Sequence, residues 1–365
     1  MLALLAQELV PTGNLARRRK LSDEAVGIAR GLDDPGALLD VLNLRSNALL
    51  GLDTLAERLA VTAEALPLAE HLRDPVGLYF AAIFRAFAAF DAGDRDELDR
   101  VADLAVRLAD EVGQPTLRWV ARWQLGLRSW LDGELDASEG HVTDAMSIGF
   151  ESGQPDAVLV PGIQLMFLRW PQGRSDEIEP MLSQFLDDQV ELPGLRAGLA
   201  MMYCENGRFE EARRVLDGEV AAEFARCKDD PYPLNTVVMW SHTVSDLDDV
   251  RAAEMLLPYL LPHTDEIGTA SVITSGAAAT AIGQLQSVLG HVSAADEAFS
   301  HGVEVCTRLR APFPLALTHC AWARSLLRSD EPGDRTRALR NIDAARALAE
   351  NHGLVAIERR IERML

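Results

Sequence analysis

Residues 74–115, DPVGLYFAAIFRAFAAFDAGDRDELDRVADLAVRLADEVGQP, contain the pattern that decides the fold. The segment has a proline near each end, Pro75 and Pro115, and Gly93 near its middle. Proline fits the first turn of a helix, because the N–H that it lacks has no partner there. In residues 98–109 apolar side chains recur at three- and four-residue steps, which predicts an amphipathic helix. The segment therefore predicts a helix, a glycine turn and a second helix.

The same proline recurs along the whole chain. The periodic prolines are Pro35, Pro75, Pro115, Pro155, Pro193, Pro231 and Pro312. The first four are evenly spaced, the next two steps are slightly shorter, and the last gap equals two periods with one proline missing near Ala270. An Asp or Gln stands before most of them, and an Asp at this position can cap free helix N–H groups. Each proline is thus expected to open a helix.

A fixed period of this length is typical of repeat arrays. We expect about nine helix–turn–helix units that begin near residues 1, 35, 75, 115, 155, 193, 231, 270 and 312. Since one helix pair cannot bury its apolar stripe alone, the pairs must stack. The predicted fold is all-α, a right-handed α-α superhelix that forms one continuous domain over residues 1–365 and leaves a concave face.

The spacing inside the units resembles the tetratricopeptide repeat. The residues that carry this resemblance are Leu199, Ala200, Tyr203, Gly207, Phe209 and Ala212, and a similar spacing occurs at Gly126, Gly133 and Ser138 and at Gly283, Gly290 and Ala295. The resemblance implies that a small residue on the first helix lets the second approach and that the aromatic Phe209 plugs the turn. The units are longer than the usual repeat of about 34 residues, which implies longer helices.

Over most of its length the chain is similar to the helical-repeat C-terminal regions of large bacterial regulators. These include MalT-like and LuxR-type activators and multidomain proteins linked to ATPases or nucleotide cyclases. The similarity is carried by residues 17–25, 135–139 and 332–338. It implies a role in signal transduction or transcription regulation, with catalytic and DNA-binding functions in other domains.

Composition limits the partners. The chain has 35 Lys and Arg against 56 Asp and Glu, a formal charge of −21. Such a surface repels phosphate backbones, so we expect no direct nucleic-acid contact and no membrane binding. The four cysteines are irregularly spaced and form no Cys-x-x-Cys pair, which favours a reducing cytoplasm. No apolar run reaches the roughly 18 residues of a membrane helix.

Motifs for catalysis or cofactor binding are absent from the sequence. No phosphate loop, dinucleotide fingerprint, nucleophile elbow or zinc-protease motif occurs. The small residues at 268–283 predict two closely packed helices, and the acidic groups at 94–99 and 246–249 predict helix-capping turns. His301, Cys306 and His319 favour structural roles over metal ligation. We therefore expect no cofactor, no metal and no catalytic residue.

An aromatic ladder is the candidate site. Phe90, Trp130 and Trp170 recur at the constant step that also separates Pro75, Pro115 and Pro155, each three positions before a turn glycine. The candidate set is Phe90, Trp119, Arg122, Trp123, Trp130, Arg169 and Trp170. Aromatic rings beside cations can form a groove for a peptide helix or an anionic small molecule. The alternative is that these rings only pack one unit against the next.

Three functions stay open at this point. The first is a non-catalytic interaction or sensor module that binds a protein segment or a small-molecule effector on its concave face. The second is an enzyme with a scattered Arg, His and Asp site in the groove, which would leave no motif. The third is a structural arm for oligomerisation, and self-association into a homo-oligomer is left open for each of them.

Overall fold

The fold is all-α in the part of the chain that the structure describes. The computed structural model describes residues 1–154, 156–157, 159–187, 193–329 and 331–365, without the side chains of 184–187, 228 and 229. Nineteen α-helices and one two-stranded hairpin lie in these residues. None of the described helices is long and apolar enough to cross a bilayer. The all-α prediction is confirmed.

The helices follow one another as pairs. The first helices are α1 Leu2–Glu8, α3 Pro35–Ala48, α5 Pro75–Asp91, α7 Pro115–Leu131, α9 Leu159–Arg169, α11 Pro193–Glu205, α13 Pro233–Leu247, α15 Ala278–Val288 and α17 Pro312–Leu327. The second helices are α2 Leu15–Gly31, α4 Leu55–Leu72, α6 Arg95–Val112, α8 Leu135–Glu151, α10 Ile178–Asp187, α12 Phe209–Ala221, α14 Val250–Leu260, α16 Val292–Leu309 and α18 Asp334–His352. A last helix, α19, spans Val355–Met364.

Capping aspartates and turn glycines define the helix ends, as the sequence predicts. The Asp34 carboxylate accepts hydrogen bonds from the N–H groups of Gly36 and Ala37, and Asp74 caps α5 in the same way. Gly93 has φ +64°, a left-handed conformation that glycine adopts without steric cost. The chain can therefore reverse within a short turn between α5 and α6.

Small residues bring paired helices together. The Ser138 hydroxyl on α8 donates a 2.8 Å hydrogen bond to the carbonyl of Gly126 on α7. A Cβ at Gly283 on α15 would lie 2.7 Å from the ring of Phe299 on α16. These contacts confirm the expected close approach of the helices. The prediction that Phe209 plugs the turn is wrong, since its side chain is 46% exposed.

The period breaks in the second half of the chain. The prediction of a helix start near Ala270 is wrong, because β1 (Ile267–Thr269) and β2 (Thr274–Ala277) form an antiparallel hairpin there. The prediction of two packed helices over residues 268–283 is wrong for the same reason, and only its end is helical. Helix α13 begins at Pro233 rather than at Pro231, and Pro155 lies outside the described residues.

The first helices form an inner layer. Neighbouring first helices contact each other at α1–α3, α3–α5, α7–α9, α11–α13, α13–α15 and α15–α17. Stacking of this kind buries the apolar stripe that a single pair leaves exposed.

The C-terminal pairs pack back onto earlier ones. Arg310, directly after α16, forms a 2.9 Å ion pair with Asp99 on α6, and Arg359 on α19 donates to the carbonyl of Gly173. The chain exposes 15338 Å². A compact monomer of 39.9 kDa exposes about 14,400 Å². The array is therefore closed on itself and not extended.

The caps can be tested with a matched pair of variants. Asp74→Ala removes both cap hydrogen bonds of α5 and is expected to lower the free energy of unfolding by about 1 kcal/mol. Gln114→Ala changes the same position one period later, where the side chain makes no cap hydrogen bond, so a loss below about 0.5 kcal/mol is expected. Urea denaturation measures both values, and equal losses would contradict the capping role.

Candidate functional site

A cavity of about 580 Å³ lies between the first helices of six consecutive pairs. Helices α3, α5, α7, α9, α11 and α13 contribute to its wall. Residues 7, 8, 10 and 11 at the end of α1 and before α2, Ile178 and Leu182 on α10, and residues 270–273 at the tip of the hairpin also line it. The cavity is thus built by the repeat itself and by the segment that interrupts the repeat.

One repeat position lines the cavity in four consecutive pairs. Trp123, Ile163, Met201 and Met239 all belong to its wall. They are separated by the same steps that separate the periodic prolines from Pro115 to Pro231. Each stands eight positions after its proline, so the repeat returns this position to the inner face.

The remaining wall is also largely apolar. It includes Leu50, Phe87, Phe167 and Leu195, and further methionines at Met166 and Met202. Methionine side chains are flexible and polarisable, so they adapt to ligands of irregular shape. An apolar wall with a few polar groups is typical of small-molecule sites.

A buried carboxylate marks the polar part of the wall. Asp230 is 5% exposed and accepts hydrogen bonds from the Tyr232 N–H at 2.8 Å and from the Thr236 hydroxyl at 2.6 Å. Burial raises the pKa of Asp230, and these hydrogen bonds, with the N–H of Gly194, oppose the rise. No Arg, Lys or His among the described side chains forms an ion pair with it.

The hairpin is held over the cavity by polar contacts. The Thr269 hydroxyl donates to Asp91 at the end of α5, and Arg58 on α4 pairs with the same carboxylate. The Ser271 hydroxyl donates to the phenol oxygen of Tyr232 at 2.9 Å. The hairpin is therefore bound both to the end of α5 and to Tyr232 in the cavity wall.

The charged residues among the described lining residues are all acidic. Glu8 and Asp156 are exposed carboxylates at the edge of the cavity, and Asp230 lies inside. Among the described lining residues there is no Arg, Lys or His. Those of these carboxyl groups that are ionised therefore attract cations and repel anions.

The predicted aromatic ladder lies in the core. Phe90 is fully buried, Trp130 is 6% exposed and Trp170 is 1% exposed. The ring of Phe313, on α17, packs edge-to-face on both indoles, with centroids 5.9 Å from Trp130 and 4.9 Å from Trp170. The chain itself therefore covers this part of the predicted groove, which favours the packing alternative for these rings.

Two tryptophans of the candidate set line the cavity. Trp123 belongs to its wall, and Trp170 contributes from the covered end. Trp119 is buried beside Trp123, with ring centroids 4.3 Å apart in an edge-to-face arrangement. The candidate set thus contains part of the wall but not its polar group.

The two arginines of the candidate set lie elsewhere. Arg169 pairs with Glu139 on α8 through two hydrogen bonds of 2.6 and 2.7 Å, which lower the pKa of Glu139 to about 2. Arg122 lies in a separate depression on α6–α8, together with Arg118 and Glu151. The structure therefore does not bring the expected cations to the aromatic wall of the cavity.

The histidines and cysteines of the C-terminal units do not converge. His301 bonds to Asp265 at 2.8 Å, and His319 bonds to Asn341 at 2.7 Å. Across the described residues, no three His, Cys, Asp or Glu side chains are grouped to hold a metal ion.

The sequence pattern does not predict Asp230 or the methionines as parts of a binding site. The position eight places after each proline gives a signal for Met201 and Met239, but it varies between aromatic and aliphatic residues. Asp230 stands before Pro231, where the pattern predicts a helix cap. Its carboxylate instead bonds to Tyr232 and Thr236, because α13 begins only at Pro233.

Neither protein-family models nor curated protein sequences give a match to this chain.

Replacing Trp130 separates packing from binding. Trp130→Ala removes a ring that is buried against Phe313 and is expected to lower the free energy of unfolding by about 3–5 kcal/mol. Phe150, which is 63% exposed, gives the control Phe150→Ala, with an expected loss below about 1 kcal/mol. Urea denaturation measures both. Similar small losses for the two variants would show that the ring is not core.

Proposed function

We propose that this chain is a non-catalytic helical-repeat module that binds a small apolar effector in the cavity. In this proposal the pairs form a right-handed, tetratricopeptide-like superhelix, and the cavity is the unfilled part of its concave face. The observation that carries the proposal is an apolar wall that continues across six consecutive pairs. The resemblance to the repeat regions of MalT-like regulators supports a sensor role.

The size of the cavity favours a small molecule over a peptide helix. A helix with its side chains is about 10–12 Å wide and rises about 5.4 Å per turn, so one turn fills roughly 420–610 Å³. The cavity of about 580 Å³ therefore holds little more than one turn. A recognition helix needs several anchors over two turns or more, which this space does not offer.

Apolar burial alone supports measurable binding. Each buried methylene contributes about 0.8 kcal/mol, so a ten-carbon chain contributes about 8 kcal/mol. Association costs at least about 4 kcal/mol in lost translation and rotation. The difference is therefore at most about 4 kcal/mol, which corresponds to millimolar binding at best before any polar contact is counted.

The thiols support a non-catalytic role. Cys204, Cys227, Cys306 and Cys320 lie outside the cavity wall, and burial raises the pKa of each thiol. The pKa of Cys306 rises to about 11 and that of Cys227 to about 12. Because the thiolate is the nucleophile, these groups are unreactive at neutral pH.

A glycine in the wall allows the proposal to be tested. A Cβ built at Gly198 on α11 would lie 3.9 Å from Leu182 and from Met239, which both line the cavity. Gly198→Leu therefore fills the cavity, and leucine favours helix more than glycine does. Gly218→Leu is the matched control, since Gly218 is exposed on α12 with open space around its Cβ position.

The neutral fluorophore N-phenyl-1-naphthylamine serves as the probe. We expect saturable binding to the wild type, at least tenfold weaker binding to Gly198→Leu and unchanged binding to Gly218→Leu. The measurement is a fluorescence titration, with thermal unfolding to confirm that both variants fold. Absence of binding to the wild type, or equal affinity for the two variants, would overturn the proposed function.

A further inference from the structure

We infer that the effector is an amphiphilic amine, an apolar body whose protonated amino group lies against the carboxylate of Asp230. The inference rests on the proposed function, because it names the ligand class for the same cavity. It is carried by a buried carboxylate that faces an apolar cavity without a cation to balance it among the described side chains.

No described side chain supplies a counter-charge to Asp230. A carboxylate removed from water is costly unless a cation pairs with it or a proton neutralises it. The N–H groups of Tyr232 and Gly194 and the Thr236 hydroxyl occupy only part of its acceptor capacity, since a carboxylate has about four lone-pair sites. The raised pKa of Asp230 agrees with this unbalanced environment. An ammonium group carries donors and one positive charge, so it can fill the acceptor capacity that the described donors leave open.

The rest of the wall suits the same ligand. Phe87, Trp123 and Tyr232 present aromatic rings to the cavity, and such rings attract cations through their negative faces. The aliphatic and methionine side chains accept the apolar body. Exposed Glu8 and Asp156 at the edge, and a net charge of −21, attract a cation on its approach.

The ligand charge that the cavity favours is positive, whereas the sequence predicts an anionic small molecule. An anionic ligand would need Arg122 or Arg169, and these residues are not part of the wall. A fatty-acid carboxylate in the cavity would meet Asp230 with no described cation between them. Like charges in a site of low dielectric repel strongly, so the cavity selects against anions.

Three ligands with one chain length test the inference. n-Decylamine, decan-1-ol and decanoate have ten carbons each and differ in the polar end and its charge. The amine and the carboxylate are titrated below their micelle concentrations, and the alcohol below its solubility limit, against bound N-phenyl-1-naphthylamine. We expect decylamine to displace the probe at a concentration at least tenfold lower than decan-1-ol, and decanoate to be the weakest. Gly198→Leu is expected to remove displacement by all three.

A variant of the carboxylate assigns the preference to one residue. In Asp230→Asn the amide oxygen can still accept from the Tyr232 N–H, and the amide NH₂ can donate to the Thr236 hydroxyl, so the fold is expected to persist. Its preference for the amine over the alcohol is expected to fall below threefold, while its affinity for decan-1-ol stays the same. Asp217→Asn removes an equal charge from an exposed position on α12 and is expected to keep the preference.

The outcomes separate the two proposals. If decan-1-ol binds the wild type and not Gly198→Leu, but the amine is not preferred, the inference is overturned and the proposed function stands. A preference that survives in Asp230→Asn, or is lost equally in Asp217→Asn, also overturns the inference, since it then comes from surface charge. If neither the probe nor decan-1-ol binds, both proposals fail. Should Asp230→Asn not fold, the order of the three ligands on the wild type decides.

Discussion

The contact of Phe313 with the indoles of Trp130 and Trp170 holds the ninth pair of helices against the fourth and fifth. An open array would leave these rings in water, because one pair cannot bury its inner face alone. Polar contacts reinforce the closure at the same end. The Trp170 N–H donates to Glu205 at 2.7 Å, and Glu205 is buried in an ion pair with Arg360 of the last helix. Loss of one partner there would leave a buried charge unpaired.

This closure also explains why the cavity lies where it does. Trp123 and Trp130 stand seven positions apart on α7, so they lie on the same helix face, about two turns and about 10 Å apart. Phe313 covers the ring of Trp130. As far as the structure is described, no side chain from α15 onwards fills the space beside Trp123. The hairpin tip and the segment before α2 belong to its wall but leave the space open. A cavity therefore remains where the self-packing of the array stops.

Local signals made the helix pairs predictable, and long-range contacts made the site hard to predict. The caps at Asp34 and Asp74 and the turn at Gly93 depend on a few neighbouring residues, so the sequence pattern predicts them. The hairpin depends on contacts such as that of Thr269 with Asp91, which are far apart in the chain. Which aromatic rings face space and which face Phe313 depends on the closure of the array, and no period in the sequence encodes that closure. The position of Asp230 in the cavity wall likewise depends on the packing of helices that are far apart in the chain.

Small-angle X-ray scattering tests the closure most directly, because it measures the shape of the chain in solution. A compact chain of 365 residues has a radius of gyration of about 21 Å, and our account predicts a value close to this. Nine helix pairs stacked about 10 Å apart in an open array would extend about 90 Å and give a radius of gyration of about 30 Å. A value as large as that of the open array would contradict the account, since the C-terminal pairs would then not cover the aromatic ladder.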